Sequence, residues 1–277
     1  KPMRLRIMIE AIADYEFNKA PLVKGMILIS QAIRPDFPTT SVGYQLAQLV
    51  EQAEAEIPQQ GNTKEQIEAL LKLFYKQWHF SGASGKYCLS DTLWLDKVLA
   101  THVGSPVSLG SILIYIAQAL NLPLVPVIFP TQLIIRIDIP NEQPLFLNPI
   151  NGEYLSQHTL EVWLKGNVGS ASVLLEADLE ESEYSSIIRK LLDTLKVSLM
   201  EEKNMEQALK ASETVLMFDP EDPYEIRDRG LIFAQLECNH VAISDLNYFV
   251  EQCPEDPISE MIKIQIHSIE QNPIVLH

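Results

Sequence analysis

The sequence predicts an α+β protein in two domains, residues 1–170 and 171–277. The first is a helical part whose core is one buried helix laid on a small antiparallel sheet; the second is an all-α array of helical repeats. Three observations carry this. The block Ser111–Asn121 is apolar around nearly its whole circumference, which marks a helix enclosed by the core rather than one lying on the surface. Past Leu122-Pro123 the apolar pattern changes to short runs of branched and aromatic residues separated by turn residues, the mark of strands. Further on, Asp219-Pro-Glu-Asp-Pro223 returns as Cys253-Pro-Glu-Asp-Pro257 and Ala208 returns as Ala242. Both offsets are 34 residues, the period of the tetratricopeptide helix pair.

Taken in order, residues 4–15 and 21–33 carry apolar positions at helical spacing and are closed by Arg34-Pro-Asp-Phe-Pro38. Thr40 and Ser41 are candidate caps for a helix that ends before Pro58. Thr63 is the candidate cap of a helix through Trp78, with Ile67, Leu70, Leu71, Phe74 and Trp78 along its core face. Phe80–Gly85 reads as a loop; it lacks the Lys-Ser/Thr that a phosphate-binding loop places at its helix start. Ser90 or Asp91 caps a helix over Thr92–Ala100, and Ser105-Pro-Val-Ser-Leu-Gly110 reads as a turn feeding the buried helix. The runs 124–129, 132–138 and 144–148 form a meander, with Pro126 pointing to an edge strand or a bulge. A helix through Leu160, Trp163 and Leu164 follows, then the linker Gly166–Gly169 and an acidic bridge over 176–183.

In the second repeat, Gly230, Phe233, Ala242, Leu246, Phe249 and Pro254 fall where paired helices need small and large packing residues. The first repeat keeps Ala208, Val215 and Pro220 but has Lys196 in place of Gly230. Ile258–Ile269 supplies a final helix to cap the stack.

Composition narrows the function classes. The net charge of −16 is unevenly placed: residues 1–170 hold 13 Lys+Arg against 15 Asp+Glu, and residues 171–277 hold 8 against 22. Such an acidic second part repels phosphates, so nucleic acid is not an expected partner; another protein, basic in character and bound through the repeats, is. No apolar run reaches the roughly 18 residues of a membrane span, and the opening Lys1–Arg6 is not expected to be a signal peptide. Cys88, Cys238 and Cys253 are odd in number and widely spaced, which describes neither a disulfide framework nor a zinc site, and the reducing cytoplasm is the expected location. The histidines show no metal-site spacing, and neither metal nor cofactor is expected.

The residues 87–99, Gly104-Ser-Pro-Val-Ser108-Leu109, Leu122-Pro123, Phe129-Pro-Thr-Gln-Leu-Ile-Ile-Arg136 and Leu147-Asn-Pro-Ile-Asn-Gly152 resemble the SirB-type bacterial family over about residues 10–270. That family is similar to the papain/transglutaminase-like class in its first domain and carries tetratricopeptide-like helices in its second. The resemblance implies a bacterial source and a site in which a cysteine at a helix N-terminus, a histidine on the next strand and an aspartate on the one after act together. Here Ser108 stands at the cysteine position, Gln132 at the histidine position and Asn148 at the aspartate position.

A helix N-terminus favours a nucleophile through its unpaired N–H groups and partial positive charge. A serine hydroxyl without a base is nevertheless a weak nucleophile, and a carboxamide neither takes a proton nor steadies an imidazolium. The expectation is therefore a degenerate cleft in a protein-interaction or regulatory protein, with Gln132 and Asn148 hydrogen-bonding each other and Ser108. The alternative is a weak amide or ester hydrolase using Ser108. His102 and His158 are read as capping or surface histidines and Cys88 as incidental. Arg136, the one charge in an apolar strand, is read either as solvent-facing or as a binding residue contacting an anion in the cleft. Arg227 and Arg229 are read in local ion pairs.

Overall fold

The computed structural model of the protein describes residues 12–85 and 88–271. Most of the helix expected over 4–15 lies outside the described residues, as does Tyr87. The contacts divide the chain into two compact units, one of residues 16–31 and 36–191, the other of residues 192–271 with 12–15 and 32–35.

The first unit opens with helices α1 (Leu22–Ile33), α2 (Thr39–Glu56) and α3 (Thr63–Leu71). Helix α2 begins at Thr39 behind Pro38, and α3 is capped by the Asn62 side chain accepting from the Lys64 N–H, one residue before the cap read from sequence. The helix expected to run unbroken to Trp78 instead widens into a π-helical stretch over Lys72–Gln77. There Phe74 and Tyr75 turn inward, and Phe74 stacks on Phe80 at 4.3 Å.

The segment expected as one helix over 92–100 is split. A 3-10 turn (Leu89–Thr92) is followed by a break at Leu93-Trp94, both buried, and then by α4 (Leu95–Thr101). Burying these two large side chains together outweighs a few tenths of a kcal/mol per residue of helix propensity. An unexpected pair of short parallel strands, β1 (Ser81–Gly82) and β2 (Val103–Gly104), joins the loop after the π-helical stretch to the approach of the buried helix.

That buried helix is α5 (Pro106–Ala119). Leu109, Ile112, Leu113, Ile114, Ile116 and Ala117 are each at most 1% exposed. A fully buried Leu or Ile contributes about 1.5–3 kcal/mol over an exposed one, so this helix anchors the unit. It lies against the antiparallel meander β3 (Leu124–Ile128), β4 (Leu133–Ile137) and β5 (Leu145–Leu147), in which Leu124 faces Ile137 and Ile135 faces Leu147.

Strand β3 is at the edge, as Pro126 requires. Its outer side is covered by Ser182, whose N–H donates to the Pro126 carbonyl at 2.9 Å and whose hydroxyl accepts from the Ile128 N–H at 2.8 Å. Val127, Phe129 and Ile134 form a cluster with Leu160 and Leu164 of α6 (Gln157–Asn167).

In the second unit, the last part of α7 (Tyr184–Glu201) is followed by α8 (Met205–Phe218), α9 (Pro223–Gln235), α10 (Asn239–Gln252) and α11 (Ile258–Gln271). A Cβ on Gly230 would stand 2.9 Å from that of Asp245 and 3.0 Å from Leu246, so glycine lets α9 and α10 meet closely. Helix α11 closes the stack by burying Ile262 and Ile266 against Leu246 and Phe249. At the position 34 residues before Gly230 sits Lys196, 4% exposed. Its Nζ reaches Glu225 at 2.7 Å and Asp228 at 2.8 Å, and the Ser212 hydroxyl donates to Glu225 at 2.8 Å.

Burial works against the Lys196 ammonium. Hydrogen bonds to the two carboxylates outweigh it and hold its pKa above the ordinary lysine range. Arg227 pairs with Asp228 at 2.9 Å and Arg229 with Asp245 at 2.8 Å, as expected of them.

Candidate functional site

Ser108 sits in the first turn of α5, not in a preceding turn. Ser105 is the N-cap and Pro106 the first helical residue, a start signature that places the helix five residues earlier than the apolar block suggests. The two serines form a capping box: the Ser108 N–H donates to the Ser105 hydroxyl at 3.4 Å and the Ser105 N–H to the Ser108 hydroxyl at 3.0 Å. The Ser108 hydroxyl itself donates to the Thr92 carbonyl at 2.6 Å. Gly104 makes room for it, since a Cβ there would stand 2.7 Å from the Ser108 oxygen. Ser108 is 0% exposed, and its hydroxyl proton has a backbone acceptor.

Gln132 precedes β4 and Asn148 follows β5, and the two side chains meet: Gln132 Nε2 donates to Asn148 Oδ1 at 3.2 Å and to the Leu133 carbonyl at 3.3 Å. Asn148 Oδ1 also accepts from the Ile150 N–H at 3.1 Å, which starts the tight turn through Gly152. Among the described residues no hydrogen bond links Ser108 to either carboxamide, so the three-way cluster expected from sequence is a pair, with Ser108 turned to the backbone instead.

The turn is held from below. The Tyr75 hydroxyl donates to the Pro149 carbonyl at 2.7 Å, and burial raises its phenol pKa far above the ordinary value. Gly152, at φ +73°, faces the Tyr75 ring so closely that a Cβ would stand 2.4 Å from it. A Cβ on Gly110 of α5 would likewise stand 2.8 Å from the Leu133 side chain. Sequence reasoning missed Thr92, Ser105 and Tyr75. Only the Ser105-Pro106 pair left a signal, as a cap followed by proline; the other two act through partners 16 and 74 residues away.

Arg136 is half-buried and engaged within the chain: its guanidinium grips Asp138 bidentately at 2.8 and 2.9 Å and donates to the Leu179 carbonyl at 3.0 Å. The hydrogen bond to Asp138 raises its pKa further. His102 caps the C-terminus of α4 at φ 59°, stacks on Phe80 at 4.1 Å and bonds the Trp78 carbonyl through Nδ1 at 2.5 Å. His158 and Cys88 are exposed. Among the described residues no imidazole bonds Ser108, no group of three or more His, Cys, Asp or Glu side chains could hold a metal ion, and no helix is long and apolar enough to cross a membrane.

The model of the transglutaminase-like superfamily matches residues 40–193, and that of a tetratricopeptide repeat matches residues 195–267. The protein SirB1 of Salmonella typhimurium is 61% identical over 96% of this chain and 99% of its own length. The UPF0162 protein YchA of Escherichia coli K12 is 58% identical over the same shares, and a UPF0162 protein of Vibrio cholerae 39% identical over the same shares. The solved structure of menin overlaps 96% of this chain and 74% of its own at 9% identity with a TM-score of 0.39, too low to establish a common fold. The chain belongs to the SirB1/UPF0162 family, a transglutaminase-like domain followed by tetratricopeptide helices.

Proposed function

We propose that this family member is a non-catalytic protein of the bacterial cytoplasm that acts by binding another protein through its acidic repeats, and that its transglutaminase-like cleft is degenerate. The observation that carries the reading is the state of Ser108. Its hydroxyl is fully buried and hydrogen-bonded as both donor and acceptor to backbone, and the two residues we read at the positions of base and orienting carboxylate, Gln132 and Asn148, are carboxamides bonded to each other. An attacking oxygen needs a base to take its proton and a free path to the carbonyl carbon. Ser108 has neither among the described residues, and we read it as a helix-start residue and Arg136 as a strap across the sheet edge.

The partner side rests on charge: residues 171–277 carry 22 acidic against 8 basic residues, which favours a basic protein and disfavours nucleic acid. Tetratricopeptide repeats generally mediate protein–protein contacts. The three free cysteines accord with a reducing compartment.

The test is turnover of small amide, ester and thioester substrates by the full chain and by Ser108→Ala. No turnover by either protein is expected; turnover by the parent that Ser108→Ala abolishes would establish the hydrolase instead. For the binding half, partners captured on the immobilised full chain should be released as salt rises, because exposed charges are screened within about 10 Å at 0.1 M. Capture indifferent to salt would remove the charge argument.

A further inference from the structure

The second unit holds a cavity of about 870 Å³ where the ends of α7, α9 and α11 and the start of α8 converge. Its size is in the upper part of the range of about 300–1,000 Å³ found for ligand clefts. Met200, Met205, Leu231, Ala234 and Ile269 give it apolar walls, and Gln235, Gln265 and Ser268 give it uncharged polar ones. The apolar surface continues outward along α11. Met261 and Ile264, 66% and 70% exposed, lie one helical turn before Gln265 and Ser268. A stack-closing helix ordinarily presents a polar outer face, so this exposed pair is out of keeping with a cap that meets only water.

The charges beside the walls lean acidic. Glu201 and Lys203 line the cavity, and Glu202, Glu206, Glu237 and Glu270 each lie within two residues of a lining position; the other basic residues of the same stretches, Arg229 and Lys263, are engaged with Asp245 and Glu260. The C-terminal ends of α7, α9 and α11 meet here, and helix C-termini carry partial negative charge.

Resting on the reading of the repeats as the interaction surface, we propose that this groove receives an amphipathic helix of a partner protein, with its apolar stripe in the Met200–Leu231–Ile269 channel and lysine or arginine side chains against the carboxylate edge. Methionine walls suit such an occupant, because the unbranched thioether adapts to varied apolar side chains.

The experiment measures binding of a synthetic amphipathic peptide, leucine along one face and lysine on its flanks, to the full chain by fluorescence anisotropy, against the same peptide with glutamate in place of lysine. Two double variants are compared with the parent after thermal unfolding has shown each to be folded. Gln265→Arg with Ser268→Arg, both at exposed positions, fills and recharges the groove; Glu201→Lys with Glu237→Lys reverses the edge. The lysine peptide is expected to bind, the glutamate peptide to bind at least about tenfold more weakly, and each double variant to lose roughly tenfold in affinity for the lysine peptide. Equal binding of the two peptides, absence of binding, or unchanged affinity in both variants overturns the groove. Salt-labile capture of protein partners that persists in both double variants would also place the interaction elsewhere on the repeats, leaving the broader reading intact, whereas loss of that capture in the parent itself would remove the broader reading.

Discussion

The two units bury polar side chains by opposite means. At the start of α5 the buried groups are neutral serine hydroxyls, and their partners are backbone: Ser108 answers the Thr92 carbonyl and the Ser105 N–H. Between α7, α8 and α9 the buried groups are charged, and their partners are other side chains: Lys196 against Glu225 and Asp228, with Ser212 completing Glu225. A neutral hydroxyl on backbone partners can be lost at the cost of one hydrogen bond, because the backbone groups keep alternatives. A buried charge is harder to leave behind: without Lys196, Glu225 keeps the Ser212 hydroxyl but loses its ammonium, while Asp228 falls back on Arg227.

The same position in the helix-pair repeat thus carries two solutions. Gly230 lets the second pair close by absence of a side chain, while Lys196 fills the first pair and is neutralised there.

The largest effect should follow from breaking the charged cluster. Lys196→Ala leaves Glu225 and Asp228 without their ammonium and should cost about 3–5 kcal/mol of stability by urea unfolding. Lys196→Met combined with Glu225→Gln should recover part of that loss, and failure of any recovery would mean that packing rather than charge is at stake. At the other region, Ser108→Ala should cost only about 1–2 kcal/mol, since the Ser105 N–H still reaches the Thr92 carbonyl at 3.0 Å. A loss as large as that of Lys196→Ala would erase the contrast between the two regions.

The smallest effect lies at an exposed charge. Asp256 caps α11 through the Ile258 N–H and accepts from the Tyr224 hydroxyl at 2.8 Å, and these bonds hold its carboxyl below the ordinary value of 3.8. A depressed folded-state pKa gives stability that is present above the unfolded value and lost as pH falls through the folded one. The thermal midpoint of the parent should therefore fall slightly more below pH 3.8 than that of Asp256→Asn; identical acid profiles would show the cap to be neutral in effect.

Much of the fold was legible because it follows from local pattern. The meander, the edge position of Pro126, the 34-residue period and the buried helix all rest on periodicities of two, 3.6 or a whole repeat, which neighbouring residues impose on one another. The misreadings fell where a distant contact overrode that pattern. The π-helical widening at Lys72–Gln77 turns Tyr75 toward Pro149, and the break at Leu93-Trp94 buries two large side chains where propensity alone would continue a helix.

By itself the sequence determined that the three candidate positions, Ser108, Gln132 and Asn148, hold a hydroxyl and two carboxamides and no thiol, imidazole or carboxylate. Only the tertiary structure decided their company. It joined Gln132 to Asn148 and turned Ser108 away to Thr92, because a buried hydroxyl must find an acceptor and the nearest one was a backbone carbonyl brought there by the 3-10 turn.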